Sequence, residues 1–479
     1  MKEAVFLQEV KEIQLLKNAL TLLDWDSSTG MPEKSSPFRG EVEGYLTGLY
    51  FERSIGPVIQ EALAYFETRP EELSELGKLV FEKVKEEYAL NKNVPAERMQ
   101  EYVKVLNQAH TDWLKARAAQ DFGLLEETLT KVVAFQKEFI PYWQKEEKTP
   151  YDVLLNQFEP GMTVEKLDQV FDQVKQGIQE IRTVLAEKGT PPRTDFLSRK
   201  MTKEQQRRFV IGVVEQLGYD FSKGRLDDTV HPFMTALNRN DARITTRWEE
   251  NNFSMATFGV IHEAGHGMYE QNFDPKFDFT PLSEGASMGI HESQSLFNEI
   301  IIGSNRAFWQ KQYPFFQECA EGTFDDITFE DFYASLKETK ASLIRIDSDS
   351  LTYPLHIIIR YEIEKMLFNG SLEVADLPKV WNEKYQEYLG VSPENDLEGV
   401  LQDVHWSGGS FGYFPSYALG YMYAAQLFHA MKQELSVDEI LASEDYSDIR
   451  KWLTQHIHQY GDSRKPNQLI YDATGEELN

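Results

Sequence analysis

What most constrains this chain is the helical spacing of its apolar residues, which runs nearly from end to end and breaks off once. Leu15, Leu16, Ala19, Leu20, Leu22 and Leu23 recur at helical intervals. Residues 71–91 and 163–188 continue the pattern with mixed charges that suit the solvated face of a helix. Gly189, Thr190, Pro191 and Pro192 form the clearest break, too short for a flexible linker. The interruption falls between Thr229 and Trp248. Residues 230–237 and 242–248 are short runs separated by Asn238, Arg239, Asn240 and Asp241, a hairpin signal. Helical spacing resumes at about Ser254. The expected fold is therefore mainly α, a large helical body with one small antiparallel sheet near the middle. No internal repeat divides the chain, so residues 1–479 are expected to form a single domain, subdivided at most into 1–190 and 191–479.

Composition narrows the function. The 479 residues include 49 Lys+Arg against 78 Asp+Glu, a net charge of −29 that excludes nucleic acid and anionic membrane surfaces as partners. Apolar residues make up 41%, enough for a sizeable core. The single cysteine, Cys319, excludes an internal disulfide framework and a Cys-rich metal cluster. Glu3, Glu9, Lys11 and Glu12 break up the start of the chain, so no signal-peptide core fits there. The longest stretch without Asp, Glu, Lys or Arg is 404–431. Gly408, Gly409, Gly412 and Pro415 make it a buried wall rather than a membrane span. The cytoplasm is the expected location.

The informative segment is residues 258–266, which contain H-E-x-x-H as His262, Glu263 and His266 in an apolar, helix-compatible context. With 10 His and 78 Asp+Glu in the chain, about 0.03 such matches are expected by chance. Residues four apart share a helix face, so the two imidazoles can converge on one ion. Glu263 lies beside one ligand, offset around the helix, where its carboxylate can take a proton from a metal-bound water.

A catalytic ion needs a third protein ligand and an open position. The extended pattern with a third histidine fails, because residues 268–271 contain no glycine and position 272 is Asn. Glu270 lies a further turn along the same helix and would point along its axis. Glu292 follows a turn-rich segment, 281–289, that can reverse the chain and start a second helix at about Ser287. Glu292 is the first choice and Glu284 the second, with Glu299 read as a supporting acid. His356, His429, His456 and His458 are read as structural or surface residues.

Several motifs in order give the chain a resemblance to the carboxypeptidase Taq family of metallocarboxypeptidases. They are His231-Pro232-Phe233; Asp241, Arg243 and Thr245; His262 to His266; and His291 to Ser295. Ile344-Arg345 with Asp349 follows, then Gly399, Gln402, Asp403, His405 and Trp406. Residues 159–162 and 23–26 are similar to the family's N-terminal half. One departure is Ser348, where the family usually has Ala. The resemblance implies His262, His266 and Glu292 as metal ligands and Glu263 as general base and acid. It also implies removal of C-terminal residues from peptides with a free C-terminus, a helical body with a deep groove, and a homodimer. Residues 284–292 are similar to the angiotensin-converting enzyme family, which implies a related groove-shaped scaffold.

Exopeptidase action needs a fixed cation for the substrate carboxylate. By spacing alone, Arg345 is better read as a structural pair with Asp347 or Asp349; the resemblance reverses that order. Arg243 is the other candidate, oriented by Asp241, on a strand whose edge can pair with substrate backbone. A neutral donor for the oxyanion is expected among Tyr413 and Tyr417, with His405 nearby in sequence. Likeness to the converting-enzyme tyrosine favours Tyr417. Gln402 and Asp403 are expected to support a metal-bound histidine. Zinc is the expected ion, one per chain, though two His and one Glu also accept cobalt or manganese.

Overall fold

The computed structural model describes residues 1–479. Helix follows helix from Glu3–Thr29 to Val164–Lys188, and residues 189–192 are non-helical. Local chemistry starts several of these helices. Thr163 accepts from the Lys166 N–H, and Thr149 and Thr202 form reciprocal capping boxes with Asp152 and Gln205. Leu129, Phe139, Leu154 and Phe171 share one buried core with Val260, Ile290 and Leu419. A smaller core joins Phe6, Val10, Phe66 and Phe81 to Phe277 and Leu282, seating the N-terminal helix Glu3–Thr29 beside the middle of the chain. Among the described residues, no helix is long and apolar enough to cross a membrane.

The sheet differs from the expected antiparallel hairpin. It has three strands, β1 (Leu226–Asp228), β2 (Met234–Asn238) and β3 (Asp241–Thr246), in the order β1-β3-β2. β2 pairs antiparallel with β3 as expected, with an irregularity at Ala236/Asn238, but β1 pairs parallel with β3, so the sheet is mixed. A three-residue strand is too short to show alternation, which is why the sequence conceals it. His231, Pro232 and Phe233 precede the hairpin rather than belonging to it. β3 is central and largely buried, so the edges belong to β1 and β2.

Candidate metal centre

The H-E-x-x-H segment lies on a helix spanning Phe253–Gln271. Its buried side is apolar, with Ala256, Val260, Ile261, Ala264 and Met268. The opposite side turns Gly259, His262, Glu263, His266 and Glu270 toward a groove of about 1110 Å³. A second helix, Met288–Leu296, starts where Ser287 accepts from the Ile290 N–H at 3.0 Å. Glu159 fixes that start, accepting from the Gly289 N–H at 3.0 Å and from the Tyr423 hydroxyl at 2.8 Å. Beyond it the chain continues as a π-helical turn, Phe297–Ile302, which contains Glu299.

Two glycines allow these elements to approach backbone to backbone. A Cβ on Gly265 would meet the Gln294 carbonyl oxygen at 2.5 Å and the Ser295 Cα at 2.6 Å. A Cβ on Gly420, in the helix Pro415–Glu434, would meet the Glu292 Cγ at 2.5 Å. Three helices thus close on one point because two positions lack side chains.

That point is surrounded by His262, His266 and Glu292, whose candidate donor atoms lie within 4.8 Å of one another. The Glu292 Oε2 is 3.9 Å from the His262 Nε2 and 3.6 Å from the His266 Nε2. Ligands about 2.0–2.1 Å from one tetrahedral ion sit about 3.3–3.4 Å apart, so these donors fit a divalent ion with little adjustment. The far side of each ring is held. The His262 Nδ1 lies 2.7 Å from the Glu299 Oε2, which directs Nε2 at the common point. The His266 Nδ1 lies 3.1 Å from the His291 carbonyl and 2.7 Å from the His291 Nδ1, and the His291 Nε2 lies 3.0 Å from Glu270. Glu270 therefore backs His266 through His291, and Glu284 pairs with Lys17 on the groove wall.

Glu263 is buried beside this cluster. Burial pushes its carboxyl up to about 7 against the pull of His262, with Glu292 and Glu299 adding to the rise. A carboxyl so placed can exchange a proton near neutral pH.

Arg345 lies on the same groove, and its partner is neither Asp347 nor Asp349. Its Nε and Nη2 both donate to the Asp403 Oδ1, at 3.0 and 2.8 Å, and its Nη1 donates to the Tyr353 hydroxyl at 2.8 Å. Three of five guanidinium N–H groups are thus engaged, which leaves two without a partner among the described residues. Asp349 instead accepts from the Leu351 and Thr352 N–H groups and closes its own turn. Gln402 and Asp403 are also corrected: they hold arginines rather than a metal-site histidine. The Gln402 Oε1 accepts from the Arg345 backbone N–H at 3.1 Å and from the Arg360 Nη2 at 3.2 Å. Arg360 and Tyr353 went unread in the sequence. The signal the sequence offers is an arginine set in the largely apolar run 355–361, since burial there demands an anion, and Arg360 is fully buried.

Arg243 is corrected as a second anchor. It donates to both Asp241 oxygens at 2.7 and 2.8 Å and stacks 4.4 Å over the Trp25 ring, and it does not line the groove. Arg225 covers the same ring at 5.2 Å, which makes Trp25 a tie between the N-terminal helix and the sheet region, while Asp26 pairs with Arg39. The strand that faces the groove is β2, not β3.

Tyr413 and Tyr417 both line the groove, with ring centroids 5.2 Å apart. Burial pushes the Tyr413 hydroxyl up to about 12 and raises Tyr417 as well, so both are neutral donors. His405 lies behind them, its Nε2 3.3 Å from the Tyr417 hydroxyl. Burial lowers His405 to about 4, so it is uncharged there.

A model of the "Carboxypeptidase Taq (M32) metallopeptidase" family matches residues 5–479. The chain belongs to that family. Carboxypeptidase 1 of Bacillus subtilis is 47% identical over 478 residues, covering all of this chain and 95% of that one. Thermostable carboxypeptidase 1 of Thermus thermophilus is 35% identical, with 97% and 93% covered. The crystal structure of the M32 carboxypeptidase from Deinococcus radiodurans superposes with a TM-score of 0.94 at 33% identity, over 99% of this chain and 95% of that one. This M32 protein is a metallocarboxypeptidase, a peptide-bond hydrolase that acts at the C-terminal end of peptides. Membership implies a divalent metal.

Proposed function

We propose that His262, His266 and Glu292 hold that metal, one per chain, with zinc the first candidate and cobalt or manganese suited to the same donors. A divalent ion held there supplies a Lewis acid for the scissile carbonyl and acidifies water. Glu263 accepts the proton of the attacking water and returns it to the departing amine, a task for which it is placed on the groove beside the three donors. Arg345 receives the free carboxylate on its two unengaged N–H groups, while the outer edge of β2 offers backbone pairing to the peptide. Tyr417, steadied by His405, donates to the oxyanion, and Tyr413 stands beside it.

The observation that supports this reading best is the presence of the three donors, Glu263 and a buried arginine on one groove. The chain works as a single catalytic unit and as a homodimer in the cytoplasm, where a lone cysteine suits a reducing environment. A peptide with a free C-terminus and its amidated twin test the proposal. The free peptide is expected to lose single residues and the amide to resist. Equal cleavage of both contradicts it, and release of dipeptides favours a dipeptidyl carboxypeptidase on the same centre.

A further inference from the structure

Asp403 is one carboxylate shared by two guanidinium groups. Arg345 occupies its Oδ1, and the Arg360 Nε donates to its Oδ2 at 2.7 Å. Arg360 is fully buried, away from the groove, between the Trp381 ring at 4.4 Å and the Phe414 ring at 5.4 Å. Its Nη2 also lies 2.7 Å from the Asp403 Oδ2, and the other N–H groups go to the His356 carbonyl at 2.8 Å, the Tyr385 hydroxyl at 3.1 Å and the Gln402 Oε1. The nearby histidines add no charge, since burial lowers His356 to about 3 and His405 to about 4.

The cluster therefore holds two positive charges and one negative. If Asp403 faced Arg345 alone, the pair would be neutral, and an arriving carboxylate would be an uncompensated buried anion. We propose that Arg360 is a positioning residue for the exopeptidase reaction: it absorbs half of Asp403, so that Arg345 is held rigidly by a carboxylate yet keeps a full positive charge for the substrate's C-terminus. This rests on Arg345 as the carboxylate anchor. The spent side of Asp403 faces the core, and the unspent side of Arg345 faces the groove.

The test uses an N-blocked tripeptide with a free C-terminus and four variants of the metal-loaded enzyme, each checked for folding by circular dichroism. Arg345→Gln reports the anchor itself: a raised KM supports it, and an unchanged KM ends both readings. Arg360→Gln, which can still donate to Asp403 but is uncharged, is expected to raise KM at least about tenfold with kcat changed less than about threefold. Arg360→Lys restores the charge and is expected within about threefold of the parent KM. The double variant Arg360→Gln with Asp403→Asn removes one charge of each sign and is expected to return KM toward the parent value. A purely structural role makes the double variant as poor as the single one. The inference is overturned if Arg345→Gln raises KM while Arg360→Gln does not, or if the folded double variant stays about tenfold above the parent. The second outcome decides the matter even if Arg360→Gln alone does not fold.

Discussion

The Nδ1 of His262 lies 2.7 Å from the Oε2 of Glu299, a residue two helical turns beyond Glu292 and on the far side of the ring from the metal point. The contact fixes the ring so that Nε2 faces the common point. Glu299→Ala is expected to weaken metal affinity by about 10–100-fold while leaving the fold intact. Competition with a fluorescent chelator measures this, and parent-like affinity would remove Glu299 from the site.

Replacing Glu263 separates metal binding from chemistry. Glu263→Gln keeps size and burial but cannot accept a proton. Metal content and KM are expected to stay near the parent, with kcat lower by about 10²–10⁴-fold. Retained turnover would assign the base elsewhere.

Gly265→Ala tests the close helix crossing. In an ordinary helix interior this change gains about 1 kcal/mol. Here the added Cβ meets backbone atoms of Gln294 and Ser295 at 2.5 and 2.6 Å, and backbone cannot rotate away. Overpacking is expected to win, with a net loss of about 1–3 kcal/mol in urea unfolding. A gain in stability would refute the packing explanation.

Much of this site was legible because its chemistry is local in sequence. Two histidines one turn apart and a glutamate after a chain reversal can be read from spacing alone, and Ser287 does open the second helix. The hairpin was visible for the same reason. The remainder depends on contacts between distant segments. Asp403 reaches Arg345 and Arg360 across 58 and 43 residues, so Asp347 and Asp349 were the natural but mistaken partners. Asp241 does orient Arg243, as the spacing suggests, but the Trp25 ring that covers the guanidinium comes from a segment more than 200 residues away. Glu159 gained its role only when the start of the Met288–Leu296 helix came to rest on it.

His458 predicts an acid limit. It is buried, with Nε2 2.9 Å from the Gln294 Oε1, and burial lowers it to about 3 from an ordinary value of 6.5. The folded state therefore binds fewer protons than the unfolded state between these values. Stability from the neutral ring is fully present above about 6.5 and is lost as pH falls toward about 3. Unfolding free energy is expected to decline over that range, and His458→Gln is expected to flatten the decline. An identical pH slope in the variant would contradict this.

Whether His262, His266 and Glu292 together hold one catalytic ion is tested by elemental analysis of folded protein after exhaustive dialysis against zinc at low concentration. Expected is one divalent ion per chain in the parent, and a clear loss in Glu292→Gln with the helical circular dichroism unchanged. Parent protein that stays folded but takes up no ion, or a Glu292 variant that binds zinc as tightly as the parent, would contradict it.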